Sequence, residues 1–109
     1  MKTRILSCAE LETAEAVDYY HEQRPGLGFE FAAELKRTLA RIRAFPEAWP
    51  RFSGKTRRCI LNRFPYGVLY QLRSDGILVL GVMHMSQDPL RWEETLGARS
   101  GEPDAADNS

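Results

Sequence analysis

Residues 56–84 constrain the fold of this chain more than any other stretch. They read as three strands joined by two tight breaks: Thr56 to Arg63, Tyr66 to Arg73, and Ile77 to His84. Phe64-Pro65 parts the first two, because proline fixes its own φ and has no N–H to give to a ladder. Ser74-Asp75-Gly76 parts the last two, and Asp-Gly between apolar runs marks a hairpin because glycine accepts a positive φ at little cost. Alternation puts Tyr66, Val68, Tyr70 and Leu72 on one face. The third strand is apolar on both faces, so it belongs inside the sheet rather than at its margin. The first strand is polar and opens with Arg57-Arg58, which suits an edge strand or a surface that grips an anion.

A meander with one apolar face needs a cover, and the preceding chain supplies two helices. Lys2 to Leu6 is a short strand. Ser7-Cys8-Ala9-Glu10 has the pattern of a capping box, and Leu11, Ala14, Val17 and Tyr20 then recur on one side of a first helix. Gln23-Arg24-Pro25-Gly26 breaks it. The second helix runs from Leu27 to Ala44 with the stripe Leu27, Phe31, Leu35, Leu39, Ile42 and Phe45, and Pro46 ends it. The short break implies an antiparallel helical hairpin, and its seam has the sheet to lie on, in the Tyr70/Leu80 region. Trp49, in the stiff loop Pro46-Glu47-Ala48-Trp49-Pro50, is expected to plug one end of the core. After the sheet, Gln87 to Trp92 begins with a turn that leads into a short helix.

The 109 residues, 43% of them hydrophobic, allow one small domain with one core. It is expected over residues 1–96, with 97–109 a disordered acidic tail. The formal net charge of zero hides an asymmetry. Residues 36–73 hold ten basic side chains against Glu47 alone, a net +9. Residues 1–35 hold three bases and seven acids, and residues 74–109 two bases and seven acids, for −4 and −5. Such a block suits a polyanion or an acidic partner, although a solvated helix face beside a charged strand would have the same composition. Cys8 and Cys59 lack metal-ligand spacing and read as free thiols in a reducing cytosol. No apolar leader is visible, and the run Ile77 to Met83 is too short to span a bilayer, so a soluble cytoplasmic protein is expected. Nothing in the pattern asks for a metal or a cofactor: there is no glycine-rich phosphate loop, Ser–His–Asp spacing or ligand cluster. Glu12, Glu15, Asp18 and Glu22, three to four apart, read as a wet helix face, and His21 as solvated.

The order of elements comes together with Tyr19-Tyr20, Arg24-Pro25-Gly26-Leu27-Gly28, Phe45-Pro46-Glu47-Ala48-Trp49-Pro50, Arg63-Phe64-Pro65-Tyr66 and Val82-Met83-His84. Over about residues 3 to 93 this resembles the RelE/ParE superfamily of toxins from type II toxin–antitoxin pairs. The resemblance implies an α+β fold: an N-terminal strand, an antiparallel two-helix hairpin, and a sheet completed by a three-stranded antiparallel meander. It also implies a cognate antitoxin, acidic and folding on binding. RelE-like members cut messenger RNA on the ribosome, whereas ParE-like members share the fold and poison DNA gyrase.

The two branches differ at positions that can be read here. RelE-like nucleases carry an arginine directly after the tyrosine that opens the middle meander strand, where this chain has Gly67. They carry another just past the last strand, where the best match is Gln87. Their basic pair on the first meander strand corresponds to Arg58 and Ile60, and a C-terminal aromatic corresponds loosely to Trp92. Cleavage by a 2′-hydroxyl needs cations fixed on a phosphate that gains charge in the transition state, together with a proton acceptor and donor. Gly67 and Gln87 supply no such cation. The expectation is therefore a ParE-like toxin that binds gyrase, with Arg37, Arg41, Arg57, Arg58, Arg63, Tyr66 and Trp92 as antitoxin- or target-binding residues. The alternatives are a ribosome-dependent ribonuclease built on Arg58, Arg63 and His84, since other nucleases of the superfamily use histidine near this end of the sheet, or a non-toxic remnant that only binds its antitoxin.

Overall fold

The computed structural model describes residues 2–100. The chain runs β1 (Lys2–Ile5), α1 (Ser7–Gln23), α2 (Leu27–Ala44), β2 (Arg51–Ser53), β3 (Thr56–Ile60), β4 (Tyr66–Arg73), β5 (Gly76–His84) and α3 (Pro89–Ser100). The sheet has five strands in the order β1-β5-β4-β3-β2. β1 lies parallel to β5, and the other pairs are antiparallel. The apolar β5 is thus interior, as its two-sided pattern predicts. The polar β3 is not an edge: β2, a three-residue strand too short to leave a period in the sequence, pairs with it and takes the margin.

The helical hairpin covers one face of the sheet and α3 the other. On the hairpin side, Phe31, Leu35 and Ile42 pack with Cys59, Val68, Tyr70, Ile77, Val79 and Val82. On the α3 side, Leu69, Leu78, Leu80 and Met83 pack with Leu6, Trp92 and Leu96. Leu80 therefore lies on the face opposite the α2 stripe, and only Tyr70 of the expected contact region meets it. Alternation already puts it there, because Tyr70 pairs with Val79 and Leu80 is the next residue along β5. A β-bulge follows: Leu69 pairs with Gly81, Leu80 faces no partner residue on β4, and the side-chain parity inverts beyond it, so that Val82 joins the hairpin side and Met83 the α3 side. Leu72 and Phe45, expected on apolar faces, are exposed.

Helix α1 begins without a capping box. Leu6 is its N-cap and makes no side-chain cap bond, while Ser7 is already helical. Its inward residues are Ala9 and Ala16, with Val17 and Tyr20 packed beside them, and Leu11 is exposed. Small inward residues let α2 approach closely: a Cβ on Gly28 would stand 2.6 Å from the Val17 carbonyl oxygen. His21 is half-buried rather than solvated, its ring edge-on to Phe29 at 4.7 Å. Trp49 packs against the hairpin-side core, as expected of a plug, with the Arg41 guanidinium 5.5 Å from its ring centroid. The terminal helix is longer than composition suggests. Gly97 to Ser100, assigned to the tail by their residue types, form its last turn, while residues 101–109 lie outside the described residues.

Candidate functional site

The basic residues do not form one patch. Arg57 points to the 45–50 loop, donating to the Glu47 and Trp49 carbonyls at 3.3 and 2.8 Å. Arg58, its neighbour on β3, projects to the other face and lies over the Phe52 ring at 4.9 Å. Its stem fills the space beside Gly67, where a Cβ would meet the Arg58 Cγ at 3.0 Å. Arg63 lies in the link after β3 and pairs with Glu30 at 2.7 Å. That bond is the main reason the Glu30 carboxyl is held below its usual range. Arg37 and Arg41 sit on α2. Arg37 bonds Glu34 at 3.0 Å and Arg41 bonds the Thr38 hydroxyl at 3.1 Å.

Glu34 was invisible as a site in the sequence, because one acid inside a helix carries no signal. Its side chain is buried, and it accepts from the Asn62 backbone N–H at 2.8 Å as well as from Arg37. Burial pushes its carboxyl up, but the Arg37 bond, the Asn62 N–H and the charges of Arg37 and Arg41 outweigh it, and the net shift is downward. A buried carboxylate is tolerated when its oxygens are filled in this way. It ties α2 to the link between β3 and β4.

A second constellation gathers where β4 begins and β5 ends. Tyr66 and His84 are cross-strand partners with ring centroids 5.0 Å apart, edge to face. The His84 Nδ1 accepts from the Ser86 N–H at 3.0 Å. Gln87 Oε1 accepts from both the His84 N–H and the Trp92 indole N–H, each at 3.0 Å, and so staples the strand end to α3. Tyr66, His84, Gln87 and Trp92 line a cavity of about 190 Å3 together with Tyr19, Glu12 and Glu15 of α1. Burial, and then the nearby Tyr19 phenol, push the Tyr66 phenol above its usual range. The expected site residues Tyr66, His84 and Trp92 therefore share one cavity, while Arg37, Arg41, Arg57, Arg58 and Arg63 are not among its lining residues.

Glu12 does not belong to a wet face. It accepts from the Val82 N–H at 3.0 Å and pairs with Arg99 of α3 at 2.8 Å, while Arg99 also donates to the Leu80 carbonyl at 2.9 Å. Two charged side chains thus satisfy the Leu80 C=O and the Val82 N–H, on either side of Gly81 and beyond the last residue pair of β1 with β5. Among the described residues, no group of three or more His, Cys, Asp or Glu is placed to hold a metal ion. No helix among them is long and apolar enough to cross a membrane.

These features sit on a known architecture. No curated protein matches the sequence. Among solved structures, one described as the chromosomal ParDE TA system from P. aeruginosa aligns with a TM-score of 0.70 at 14% identity, covering 79% of this chain and 97% of that one. At that identity the likeness is one of fold. The family model for the ParE toxin of type II toxin–antitoxin systems, parDE, matches residues 7–89, from the start of α1 to the start of α3. A match over most of the chain, on a fold shared with a ParDE system, means that the chain belongs to the ParE toxin family.

Proposed function

We propose that the protein is a toxin that acts by binding, with DNA gyrase as its target and an acidic cognate antitoxin segment that folds on it as its neutraliser. One observation carries this reading: the three residues that a ribonuclease would recruit are engaged in different places. Arg58 stacks on Phe52, Arg63 is held by Glu30, and His84 sits in the strand-end cavity beside Tyr66. Sequence parity separates Arg58 from Arg63 on the assumption that both lie on one strand. In the fold Arg63 lies beyond the strand, and its own ion pair does the separating. At the two positions where nucleases fix a phosphate, Gly67 offers no side chain and Gln87 is occupied by two N–H donors. Removing one preorganised stabiliser of that kind costs about 10²–10³ in rate.

The exposed arginines and the +9 segment favour an acidic partner that associates faster at low salt. The proposed contact set is Arg37, Arg41, Arg57, Arg58, Arg63, Tyr66 and Trp92, in which Arg57 and Trp92 act chiefly by holding the loop and the strand end. The test places purified protein with gyrase and supercoiled DNA, and separately with translating ribosomes. Gyrase inhibition without messenger cleavage, retained in folded His84→Ala, is the expected result. Ribosome-dependent cleavage that is lost in folded His84→Ala would overturn it in favour of the ribonuclease. Inactivity in both assays with intact antitoxin binding would mean a non-toxic binder.

A further inference from the structure

We propose that the strand-end cavity is a receptor for the guanidinium group of an arginine side chain carried by a protein partner. The walls are aromatic: Tyr19 from α1, Tyr66 from β4 and Trp92 from α3, with the His84 ring of β5 edge-on to Tyr66. The charged lining residues are two carboxylates, Glu12 and Glu15, and no lysine or arginine lines the cavity. Ring faces beside carboxylates attract a flat cation and repel an anion. The space, about 190 Å3, is on the scale of a single long side chain.

The same corner of the molecule already contains a guanidinium bound in this way. Arg99 lies 5.0 Å from the Trp92 ring centroid and pairs with Glu12 at 2.8 Å. That pairing neutralises Glu12 from the α3 side and leaves Glu15 as the carboxylate available to a newcomer. Among the described residues Glu15 is exposed and makes no ion pair. Tyr19, one turn further along α1, is an exposed ring that can close over an incoming side chain. Arginine fits better than lysine, because its plane lies flat on a ring while its edge meets a carboxylate.

The inference goes beyond the proposed function and rests on it only in taking Tyr66 and Trp92 as contact residues. It also assigns the partner a mixed charge pattern: acidic where it meets the arginines of α2 and β3, and basic at one anchor position.

The test needs neither gyrase nor antitoxin. The full chain is titrated with N-acetyl-arginine amide, N-acetyl-citrulline amide and N-acetyl-lysine amide, and followed by amide and indole N–H resonances. The Trp92 indole is distinguished from Trp49 with Trp49→Phe. The arginine probe should move the Trp92 indole and Val82 amide signals saturably and bind about tenfold more tightly than neutral citrulline. Glu15→Gln and Tyr19→Ala, both at exposed positions of α1, should each weaken it about fivefold without changing the fold. Equal binding of arginine and citrulline, lysine binding as tightly as arginine, indifference to both substitutions, or no saturable shift would each overturn the proposal. Failure to inhibit gyrase would leave it standing.

Discussion

The Arg99 guanidinium spans the gap between the last helix and the first, meeting the Glu12 carboxylate at 2.8 Å beside the bulge in β5. Both side chains are about four-fifths buried, at 18% and 20% exposure. Each also bonds a backbone group of β5, Glu12 the Val82 N–H and Arg99 the Leu80 carbonyl. A Cβ on Gly81 would stand 2.8 Å from both the Arg99 Nη1 and the Trp92 ring, so bulge, glycine and latch form one device.

Arg99→Ala and Glu12→Ala should each destabilise the fold by about 1–3 kcal/mol, because each removes the ion pair and leaves one backbone group of β5 without its side-chain partner. A double-mutant cycle should return a coupling of about 0.5–3 kcal/mol. Denaturant melts of the four proteins measure it, and strictly additive effects would mean that the two side chains act independently.

Leu35→Ala should cost about 2–5 kcal/mol, since Leu35 is buried between α2 and the sheet. Leu80→Ala should cost a similar amount through the opposite core, beneath α3. The two losses should add, the sites being on different faces. Thermal denaturation decides this, and a Leu35→Ala melting temperature within a degree of wild type would contradict the packing.

Gly76 opens β5 with φ at +152°, and a Cβ there would sit 1.9 Å from the Lys2 carbonyl oxygen. Gly76→Ala must push β1 away or break the turn. A loss of more than about 3 kcal/mol is expected, well above that of an ordinary surface change. Protection of the β1 amides from hydrogen exchange should fall most.

Acid should weaken the wild type partly through Glu34. Its carboxyl is held below the ordinary 4.5, so its contribution is complete above that value and is lost as the pH falls through the depressed one. Glu34→Gln should lower stability near neutrality, where the Arg37 pair and the Asn62 acceptor are weakened, and should flatten the acid limb. Urea midpoints between pH 3 and 7 test this. An unchanged slope would assign the acid sensitivity to other carboxylates.

The strands of the meander, the helical hairpin and the interior place of β5 were legible because period and turn chemistry extend over whole elements. The bulge was not. Leu78, Leu80 and Met83 look like any apolar run, and the side chain that bonds the Leu80 carbonyl at the bulge, Arg99, comes from nineteen residues away. Longer separations hid Glu12 among the acids of α1, 70 residues from Val82, and Glu34 among those of α2, 28 residues from Asn62. Arg57 and Arg58 were legible as a basic pair, but not their division of labour between a loop and an open face. Tyr66, His84 and Trp92 were each singled out, yet their meeting depends on Gln87, which was noticed only for the arginine it is not.

The parallel pairing of β1 with β5 also orders the protein's assembly in time. Lys2 to Ile5 leave the ribosome some seventy residues before their partners, Gly76 to Val79. A growing chain that has released only α1 and α2 has a helical hairpin with Phe31, Leu35 and Ile42 facing water and no sheet to receive them. Closure waits for strands of high sequence separation, which makes the last step non-local and slow relative to the hairpin. A ribosome translating this message therefore carries an unfinished toxin until β5 has emerged, and a chain that stops short of β5 lacks the fold.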